Sequence, residues 1–387
     1  KMKDSGIEWI GEIPEGWETI NPKALFAQRK DRASKGERQL TSSQQYGILY
    51  QDEYMELTGS KVVTVEKDFD ILKHVETGDF VISMRSFQGG LEYSTKSGAI
   101  SSAYVMLVPN LELVYPRFYR WLLKSSVYID ALQRTTNMVR DGQAMRYSNF
   151  AQVRLFTLPL DEQKSRADFL DLECSSIDKI LFKTRSSIEE YKKLKQAVIT
   201  QAVTEGTPAM FSSPHSVKLK YLISIVSGEA IRNEQLSDFG EYPVYGGGEI
   251  IGFCSQYNTS EGSLIIGRVG ARCGCVTHTT CKSWATDNAL IVLPTCNAKY
   301  MYYVIGHCQL NNLNTSNAQP LITSTKIKNV VVPYFSDAMQ QQEIADYLDA
   351  KCAKIDGLIA KKEQLVKELE SYKKSLIYEV VTGKREV

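Results

Sequence analysis

The stretch Ala167-Asp168-Phe169-Leu170-Asp171 returns 178 residues later as Ala345-Asp346-Tyr347-Leu348-Asp349. The same offset relates a series of further matches: Cys174 and Cys352, Ile177-Asp178 and Ile355-Asp356, Lys183 and Lys361, Glu190 and Glu368, and Val203-Thr204 and Val381-Thr382. An ungapped run of matches at one offset is typical of an internal duplication. We therefore expect a chain built from two related halves.

Both copies have the hydrophobic spacing of a long helix. Apolar residues recur at alternating steps of three and four, which is the period of a coiled-coil seam. The predicted seam consists of Leu170, Cys174, Ile177, Leu181, Ile188, Tyr191, Val198 and Ala202 in the first copy, and Leu348, Cys352, Ile355, Ile359, Val366, Leu369, Leu376 and Val380 in the second. Lys195 and Lys373 interrupt it at one equivalent position. Gly206-Thr207-Pro208 and Gly383 are predicted to end the helices.

The apolar stripe of each helix needs a partner surface. A helix of about 40 residues is about 60 Å long, and it cannot bury a one-sided stripe alone. A globular segment precedes each helix, and this order favours an antiparallel pair within the chain. The alternative is that each helix packs on its own domain or on another chain.

The globular segments match more weakly. Each has a β-rich run ending in a small residue and an arginine, then a second apolar run, a glutamine and a strand leading into proline. Residues 78–85 match residues 262–268, and residues 101–107 match residues 286–292. Gln143 matches Gln319, and residues 156–159 match residues 330–333.

The predicted fold is α+β: two mixed α/β domains separated by two long helices that form an antiparallel coiled coil, with a pseudo-two-fold repeat. The predicted boundaries are 1–160 for the first domain with an N-terminal segment, 161–206 for the central helix, 207–336 for a linker and the second domain, and 337–387 for the C-terminal helix.

Composition excludes several classes of protein. The chain of 387 residues has 46 basic and 45 acidic residues and a net charge of +1. This excludes a polybasic tail binder and an acidic or disordered chain, but a local basic face remains compatible with nucleic acid binding. No apolar run approaches the roughly 18–20 residues of a membrane helix, and no apolar signal core begins the chain, so we expect a cytoplasmic protein without a membrane partner.

Cysteine is concentrated in the second domain. Six of the eight cysteines lie between Cys254 and Cys308, and reduced thiols are expected in a cytosolic protein. Cys273, Cys275, His278 and Cys281 have donor atoms suited to zinc, but their spacing is not that of a standard finger. No metal site is predicted, and a hairpin that happens to carry thiols is the alternative that we favour.

No catalytic motif is recognisable. The sequence has no phosphate-binding P-loop, no convincing dinucleotide fingerprint, no H-E-x-x-H and no G-x-S-x-G motif. Binding surfaces remain, because arginines, glutamines and aromatics occur in glycine-rich loops. Arginine can bond bidentately to guanine and glutamine to adenine. The candidate DNA contacts are Ser83, Arg85, Gln88, Arg146, Tyr245, Arg268 and Arg272. An ordinary polar hairpin loop is the alternative in each domain.

Taken together, these motifs resemble the specificity subunit of bacterial Type I restriction–modification systems. The resemblance is carried by Met2–Glu18, by Ile82–Gly90, by Tyr242–Gly248 with Ile251-Gly252, and by Leu158–Gln163 followed by the repeated helix. It covers nearly the whole chain. Two departures are Met339–Gln342, where the acidic residue before glutamine is missing, and the short linker after Gly206, which lacks a second full N-terminal motif.

The resemblance implies a non-catalytic role in DNA recognition. Each domain would be a target-recognition domain that reads one half of a split site in double-stranded DNA. The helices would space the domains and dock two modification subunits, with restriction subunits joining the full complex. This chain would need no cofactor; S-adenosylmethionine for adenine-N6 methylation, and ATP and Mg²⁺ for restriction, would be held by the partners. The seam residues Leu170, Ile177, Leu181, Ile188, Leu348, Ile355, Ile359 and Val366 are also candidates for the partner-binding region.

Two competing hypotheses stay open at the level of sequence. One is a scaffold that holds two enzymes without reading DNA. The other is a metalloenzyme centred on Cys273, Cys275, His278 and Cys281. Salt-dependent DNA binding separates the first from a specificity subunit, and metal analysis tests the second.

Overall fold

The computed structural model describes residues 1–43, 45–65, 69–83, 91–135, 146–210, 212–313 and 320–387. These residues form two units. The first unit contains residues 1–183 and 365–387, and the second contains residues 184–364. Each unit therefore combines one globular segment with parts of both long helices. Within the described ranges, no helix is long and apolar enough to cross a membrane.

The globular part of the first unit is a mixture of short strands and helices. In chain order its elements are β1 (Met2–Ile7), β2 (Gly11–Pro14), β3 (Glu18–Ile20), α1 (Pro22–Leu25), β4 (Phe26–Arg29), β5 (Leu40–Ser43), β6 (Gly47–Tyr50), α2 (Gln51–Thr58), a 3-10 turn (Phe69–Ile71), β7 (Lys73–Val75), β8 (Phe80–Ser83), β9 (Leu91–Tyr93), β10 (Gly98–Ile100), β11 (Tyr104–Pro109), α3 (Pro116–Leu123), α4 (Ser126–Arg134), α5 (Tyr147–Phe150) and β12 (Leu155–Thr157). The long helix α6 (Leu160–Glu205) follows.

Its main sheet has the strand order β4-β11-β8-β9, with every pair antiparallel. The central strands are rich in β-branched and aromatic residues, which favour strands. Phe80, Val81 and Ile82 in β8 are fully buried, so both faces of this strand are covered. Smaller antiparallel pairs join β1 to β2, β3 to β12, β5 to β6 and β7 to β10.

The globular part of the second unit repeats much of this pattern. Its elements are β13 (His215–Lys218), a 3-10 turn (Leu219–Tyr221), β14 (Ile223–Ser227), a 3-10 turn (Asn233–Gln235), β15 (Tyr242–Gly246), β16 (Glu249–Cys254), β17 (Leu264–Gly267), β18 (Val276–His278), β19 (Trp284–Ala285), β20 (Ala289–Pro294), α7 (Ala298–His307), a 3-10 turn (Leu310–Leu313), α8 (Ser324–Lys328) and β21 (Val331–Tyr334). The long helix α9 (Ala338–Val381) follows.

The second main sheet has the strand order β14-β20-β17-β18, again all antiparallel. Its members correspond one to one with β4, β11, β8 and β9, and the pair β13–β21 corresponds to β3–β12. The duplication predicted from the sequence is thus also present in the strand order. One part is not duplicated, since no hairpin like β1–β2 precedes β13 in the described residues of the second unit.

The two long helices run antiparallel within each unit. In the first unit, Arg166 near the start of α6 donates to the carbonyl of Val380 near the end of α9, at 2.9 Å. Lys373 Nζ lies 2.6 Å from Asp178 in the first unit, and Lys195 Nζ lies 2.6 Å from Asp356 in the second. The lysines that interrupt the seam therefore pair with aspartates of the other helix, and the two pairs are related by the sequence repeat. The predicted coiled-coil pair is confirmed.

The seam buries apolar side chains as the heptad spacing predicts. Leu170, Ile177, Leu181, Ile188, Leu348 and Ile355 are buried, whereas Ile359 and Val366 are half-buried. Burial of one such side chain contributes about 1.5–3 kcal/mol. The helices end beside Gly206 and Gly383, which have φ values of +89° and +74°. Both are left-handed conformations that favour glycine at a helix end, as predicted.

Candidate nucleic-acid interface

Arginine-containing segments follow the equivalent strands β8 and β17. In the first unit the segment contains Arg85 and Gln88, which lie outside the described residues. Ser83 is the last residue of β8, and its backbone pairs with Tyr104 of β11. In the second unit the loop runs from Arg268 to Cys275 and is described in full. The second unit therefore shows the geometry of the candidate interface.

The arginine loop of the second unit packs against the turn between β15 and β16. A Cβ atom added to Gly267 would lie 2.3 Å from the carbonyl oxygen of Gly247 and 2.5 Å from that of Arg272. Such distances are impossible for a real side chain, so only glycine permits this approach. The tertiary structure thus joins the Tyr242–Gly248 motif and the arginine loop, which are separate in the sequence, into one surface.

Arg268 is held at the base of the loop through its backbone. Its N–H donates to the carbonyl of Asn288 at 3.0 Å, and its own carbonyl accepts from Ile322 N–H at 3.0 Å. The half-buried guanidinium lies 3.5 Å from Ser227 Oγ. Among the described residues, no carboxylate lies within ion-pair distance of this guanidinium. A fixed backbone with an unpaired cationic head is a suitable arrangement for an anionic or base-edge contact.

Arg272 lies on the exposed part of the same loop. It lines an open cavity of about 600 Å³, together with Glu261, His278, Lys299, Asp349 and threonines at positions 277, 279 and 280. Lys299 is engaged with Asp349 at 2.7 Å, whereas no acidic partner of Arg272 is found in the described part of the chain. Burial lowers the pKa of His278, and nearby Lys299 lowers it further, so this imidazole is neutral near pH 7. Arg272 is therefore an accessible candidate for contact with DNA.

A third segment borders the arginine loop. Gly270 N–H donates to the carbonyl of Pro320, and Val269 forms a bridge with Leu321. Gln319, the predicted counterpart of Gln143, directly precedes this contact, although both glutamines are outside the described residues. Three parts of the second unit thus meet at one edge: the arginine loop, the glycine turn and the segment after Gln319.

Two further candidates have contrasting environments. Tyr245 is only 7% exposed and packs in a small core cluster with Ile265, Ala285, Ala289 and Ile291. Its burial argues against a direct contact with a base. Arg146 is exposed and precedes the short helix α5, and its backbone N–H donates to Asn149 Oδ1 at 3.0 Å. Its exposed side chain is accessible to a phosphate or a base edge.

The cysteine-rich segment does not assemble a metal site in the residues that the structure describes, where no three His, Cys, Asp or Glu side chains are grouped to hold an ion. Cys273 is buried, and its Sγ donates to the carbonyl of Arg268. Burial raises the pKa of this thiol, so the thiolate that zinc requires is disfavoured. Cys275 and Cys281 are exposed.

Sequence reasoning missed the residues that attach each domain to the helices. In the first unit, Gln163 is fully buried; its amide donates to the carbonyl of Leu113 and accepts from Tyr115 N–H. In the second, Gln341 donates to the carbonyl of Phe335 and accepts from Asn297 N–H. These two glutamines are 178 residues apart, which is the offset of the repeat. That match in the sequence could have identified them.

Two aspartates of the repeat have the same docking role. Asp171 accepts hydrogen bonds from Arg117, Arg120 and Trp121 of α3. Its counterpart Asp349 accepts from Lys299 and Tyr303 of α7. Each globular segment is thus attached to a long helix at two equivalent points, one amide and one carboxylate. The two halves of the repeat have the same residue at these positions because the side chains make equivalent hydrogen bonds to the globular segments.

Comparison with known proteins agrees with this architecture. Residues 215–368 match the family described as "Type I restriction modification DNA specificity domain". A segment of 110 residues is 29% identical to the Type I restriction enzyme EcoprrI specificity subunit of Escherichia coli, over 28% of this chain and 27% of that relative. The matching part of this chain thus spans about a quarter of that curated relative. A solved structure from work on the assembly and conformational transition of the type I R-M system aligns over 96% of this chain and 99% of its own, with a TM-score of 0.73 and 13% identity.

The fold is therefore a duplicated one, with two α/β domains and a pair of long antiparallel helices. The match to the Type I restriction modification DNA specificity domain family covers residues 215–368, which is less than half of the chain. The resemblance predicted from the sequence is confirmed.

Proposed function

We propose that this chain is the DNA-specificity subunit of a Type I restriction–modification complex. Each globular segment would read one half of a bipartite site in double-stranded DNA. The observation that carries the proposal is the duplication of one strand order, with an arginine in the sequence that follows the same strand in both halves. Two related but non-identical readers suit a site made of two different half-sequences.

The described interface supports contact with DNA rather than with a small metabolite. Arg268 and Arg272 lie on one loop, and neither forms an ion pair with a carboxylate in the described ranges. Arginine can donate to guanine bidentately or to phosphate oxygens. The close glycine turn adds backbone at the same edge, which permits near approach to a strand of DNA. The net charge of +1 suggests that partner subunits neutralise part of the DNA phosphate charge.

The outer face of the helices supports docking of two similar partners. Ile180 and Leu194 on α6 are 47% and 49% exposed, and their repeat counterparts Leu358 and Tyr372 on α9 are 42% and 47% exposed. The repeat places one member of each equivalent pair in the first unit and the other in the second. Duplicated apolar positions of this kind are suited to two copies of one partner. We assign these positions to two modification subunits.

The chemistry is assigned to the partners. Modification subunits would bring S-adenosylmethionine and methylate adenine at N6, and restriction subunits would add ATP- and Mg²⁺-dependent translocation and cleavage. In this proposal the present chain supplies sequence selection and spacing. The alternative scaffold function would use the same helices without any DNA contact by the globular segments.

Binding to DNA over a salt series separates these two functions. The chain assembled with its modification subunits should bind DNA with a strong salt dependence, and Arg272→Ala should weaken this binding. Methylome sequencing of a host that expresses the complex should show a bipartite motif. Thr280→Ala, which alters an exposed neighbour without removing charge, is the matched control. Binding that does not respond to salt, together with an unmethylated genome, would favour the scaffold.

A further inference from the structure

Both ring nitrogens of His74 face carboxylates in the first unit. Nδ1 lies 2.9 Å from Oε2 of Glu37, and Nε2 lies 3.3 Å from Oε2 of Glu76. A neutral imidazole has one N–H donor and one acceptor nitrogen, whereas the imidazolium ion donates from both nitrogens. Only the imidazolium ion therefore satisfies both contacts, because a neutral ring would direct a lone pair at one of the two carboxylates.

Other donors hold both carboxylates in the ionised form. Glu37 Oε1 accepts from Ser34 N–H at 2.8 Å, and Glu76 Oε1 accepts from the Ser97 hydroxyl. Hydrogen bonds, chiefly that from Ser97, lower the pKa of Glu76 to about 2. Burial raises the pKa of Glu37, but the hydrogen bonds from His74 and Ser34 outweigh it and leave the pKa below its ordinary value. The ring thus faces two negative charges near neutral pH.

The contact joins a loop to a strand. Residues 30–39, here called the latch loop, connect β4 to β5, begin beside β7 and end beside β10. The backbone N–H of His74 donates to the carbonyl of Asp31 at 3.0 Å, and Ala99 N–H of β10 donates to the carbonyl of Arg38 at 2.9 Å. Glu37 lies between these two points, so the ring of His74 holds the middle of the latch loop.

The charge on His74 stabilises this arrangement. Burial lowers the pKa of His74, but the hydrogen bonds to Glu37 and Glu76 outweigh it and leave the pKa above its ordinary value of 6.5. A folded-state pKa above the unfolded one means that the bound proton favours the fold. This contribution is fully present below the unfolded pKa and is lost as the pH rises through the raised value.

Neighbouring charges do not replace the two carboxylates. The other charged side chains of the surrounding segments are engaged with different groups or exposed to solvent; they are Arg29, Lys30, Asp31, Arg32, Lys35, Arg38, Lys73, Asp79 and Lys96. Among them, Lys73 donates from Nζ to the carbonyl of Tyr104 at 2.6 Å. Tyr104 pairs with Ser83, after which the first arginine-containing segment begins. Strand β7 thus connects the latch loop with the base of that segment.

We propose that His74 is a pH-controlled latch: the imidazolium ion closes the latch loop on β7, and loss of its proton lets the loop open more often. Histidine is suited to this role because its charge changes between about pH 5 and 8. The neutral ring keeps one N–H and donates to a single carboxylate, so the charge-assisted bond to the other is lost. The latch is a property of the first unit and does not depend on DNA binding.

Nuclear magnetic resonance of the full chain, labelled with ¹⁵N at its four histidines, tests the protonation state. Both ring nitrogens of His74 should carry protons near pH 7, and the midpoint of its titration should lie above 6.5. The signal is assigned by its absence in His74→Gln. His278 and His307 are internal references, because burial lowers the pKa of each. Glu37→Gln and Glu76→Gln should each lower the midpoint of His74, whereas Glu56→Gln, at an exposed carboxylate of α2, should leave it unchanged.

Hydrogen exchange of peptides covering the latch loop tests the opening. After correction for the intrinsic rate, exchange in the wild type should rise at least about threefold between about pH 6 and pH 9, because the ratio of proton affinities in the folded and unfolded states limits the effect. His74→Lys keeps a cation that does not titrate in this range, so its corrected exchange should be flat. His74→Gln, which can donate to only one carboxylate, should exchange fast at every pH.

Three results would overturn the proposal. They are a midpoint for His74 at or below 6.5, corrected exchange in the wild type that does not change with pH, and the same pH dependence in His74→Lys as in the wild type. Titration of the wild type does not require a stable variant at Glu37 or Glu76, and circular dichroism verifies that the variants at His74 are folded. Because no DNA or partner is present, these results are separate from those that test the proposed function.

Discussion

Replacement of Asp171 by alanine should loosen the attachment of α3 to the long helix α6. The Asp171 side chain is 19% exposed. It accepts hydrogen bonds from Arg117 Nε at 3.0 Å, Arg120 Nη2 at 2.5 Å and Trp121 Nε1 at 2.8 Å. The substitution removes the acceptor for all three donors at once.

The expected loss of stability follows from the fate of each donor. A hydrogen bond to a charged group contributes about 1.5–3 kcal/mol in a buried setting. Arg117 keeps an ion pair with Asp168 at 2.9 Å, and the Arg120 side chain, 37% exposed, regains water. We therefore expect a total loss of about 2–3 kcal/mol. Asp168→Ala is the matched control: it removes one ion pair at a side chain 49% exposed, and such pairs are worth about 1 kcal/mol or less.

The effect should depend on pH in a defined direction. Burial raises the pKa of Asp171, but the hydrogen bonds from Arg117, Arg120 and Trp121 outweigh it and leave the pKa below its ordinary value. The carboxylate therefore contributes stability above the pKa of an unfolded aspartate, and this contribution is lost as the pH falls through the lowered value. The difference between wild type and Asp171→Asn should be largest near neutrality and should shrink in acid.

Hydrogen exchange measured by mass spectrometry suits a chain with two units, because it reports local opening. Peptides covering 116–123 should exchange about 30- to 150-fold faster in Asp171→Ala than in wild type, which corresponds to 2–3 kcal/mol at 1.4 kcal/mol per factor of ten. Peptides from the second unit should be unchanged. Exchange in α3 at the rate of the Asp168→Ala control would refute the docking role of Asp171.

Three further predictions concern reading, spacing and the helix pair. If Arg272 reads a base, Arg272→Ala in the assembled complex should weaken DNA binding by about 1–3 kcal/mol and relax specificity at one position of the motif. If Arg272 contacts phosphate, the substitution should instead flatten the salt dependence of DNA binding by about one unit of slope. Wild-type affinity, salt slope and motif for both Arg268→Ala and Arg272→Ala would refute the site assignment. A four-residue insertion in either long helix lengthens that helix by about 6 Å and adds about 40° of rotation. Methylome sequencing should therefore show a changed gap between unchanged half-sites. An unchanged gap in an active variant would contradict the spacer role. A double-mutant cycle for Lys195 and Asp356 should give a coupling energy of about 0.2–1 kcal/mol, and this energy should fall with added salt because both side chains are partly exposed. A coupling energy of zero at low salt would contradict the ion pair between the two helices.

The repeat in the sequence already determined the architecture. An ungapped offset with heptad spacing is a local, one-dimensional signal, and it specifies two long helices with one seam register. Even the lysines that break the seam were visible at equivalent positions. Their partners were not, because pairing of Lys195 with Asp356 and of Lys373 with Asp178 depends on the antiparallel packing of the helices.

The candidate interface was only partly accessible from the sequence. Glycine-rich loops and their arginines can be found by inspection, but the contact between Gly247 and Gly267 requires two hairpins to meet in space. Tyr245 belongs to a conspicuous motif and yet is buried, because the position of a strand in its sheet decides which faces are covered.

The sequence by itself thus determined the duplication and the helix pair, since periodicity and repeat offset are properties of the chain. The tertiary structure decided which polar groups meet: Gln163 and Asp171 with the first domain, and Gln341 and Asp349 with the second. Hydrogen bonds and burial depend on atoms that are distant in the sequence and are brought to within a few ångströms by packing, so no local pattern specifies them.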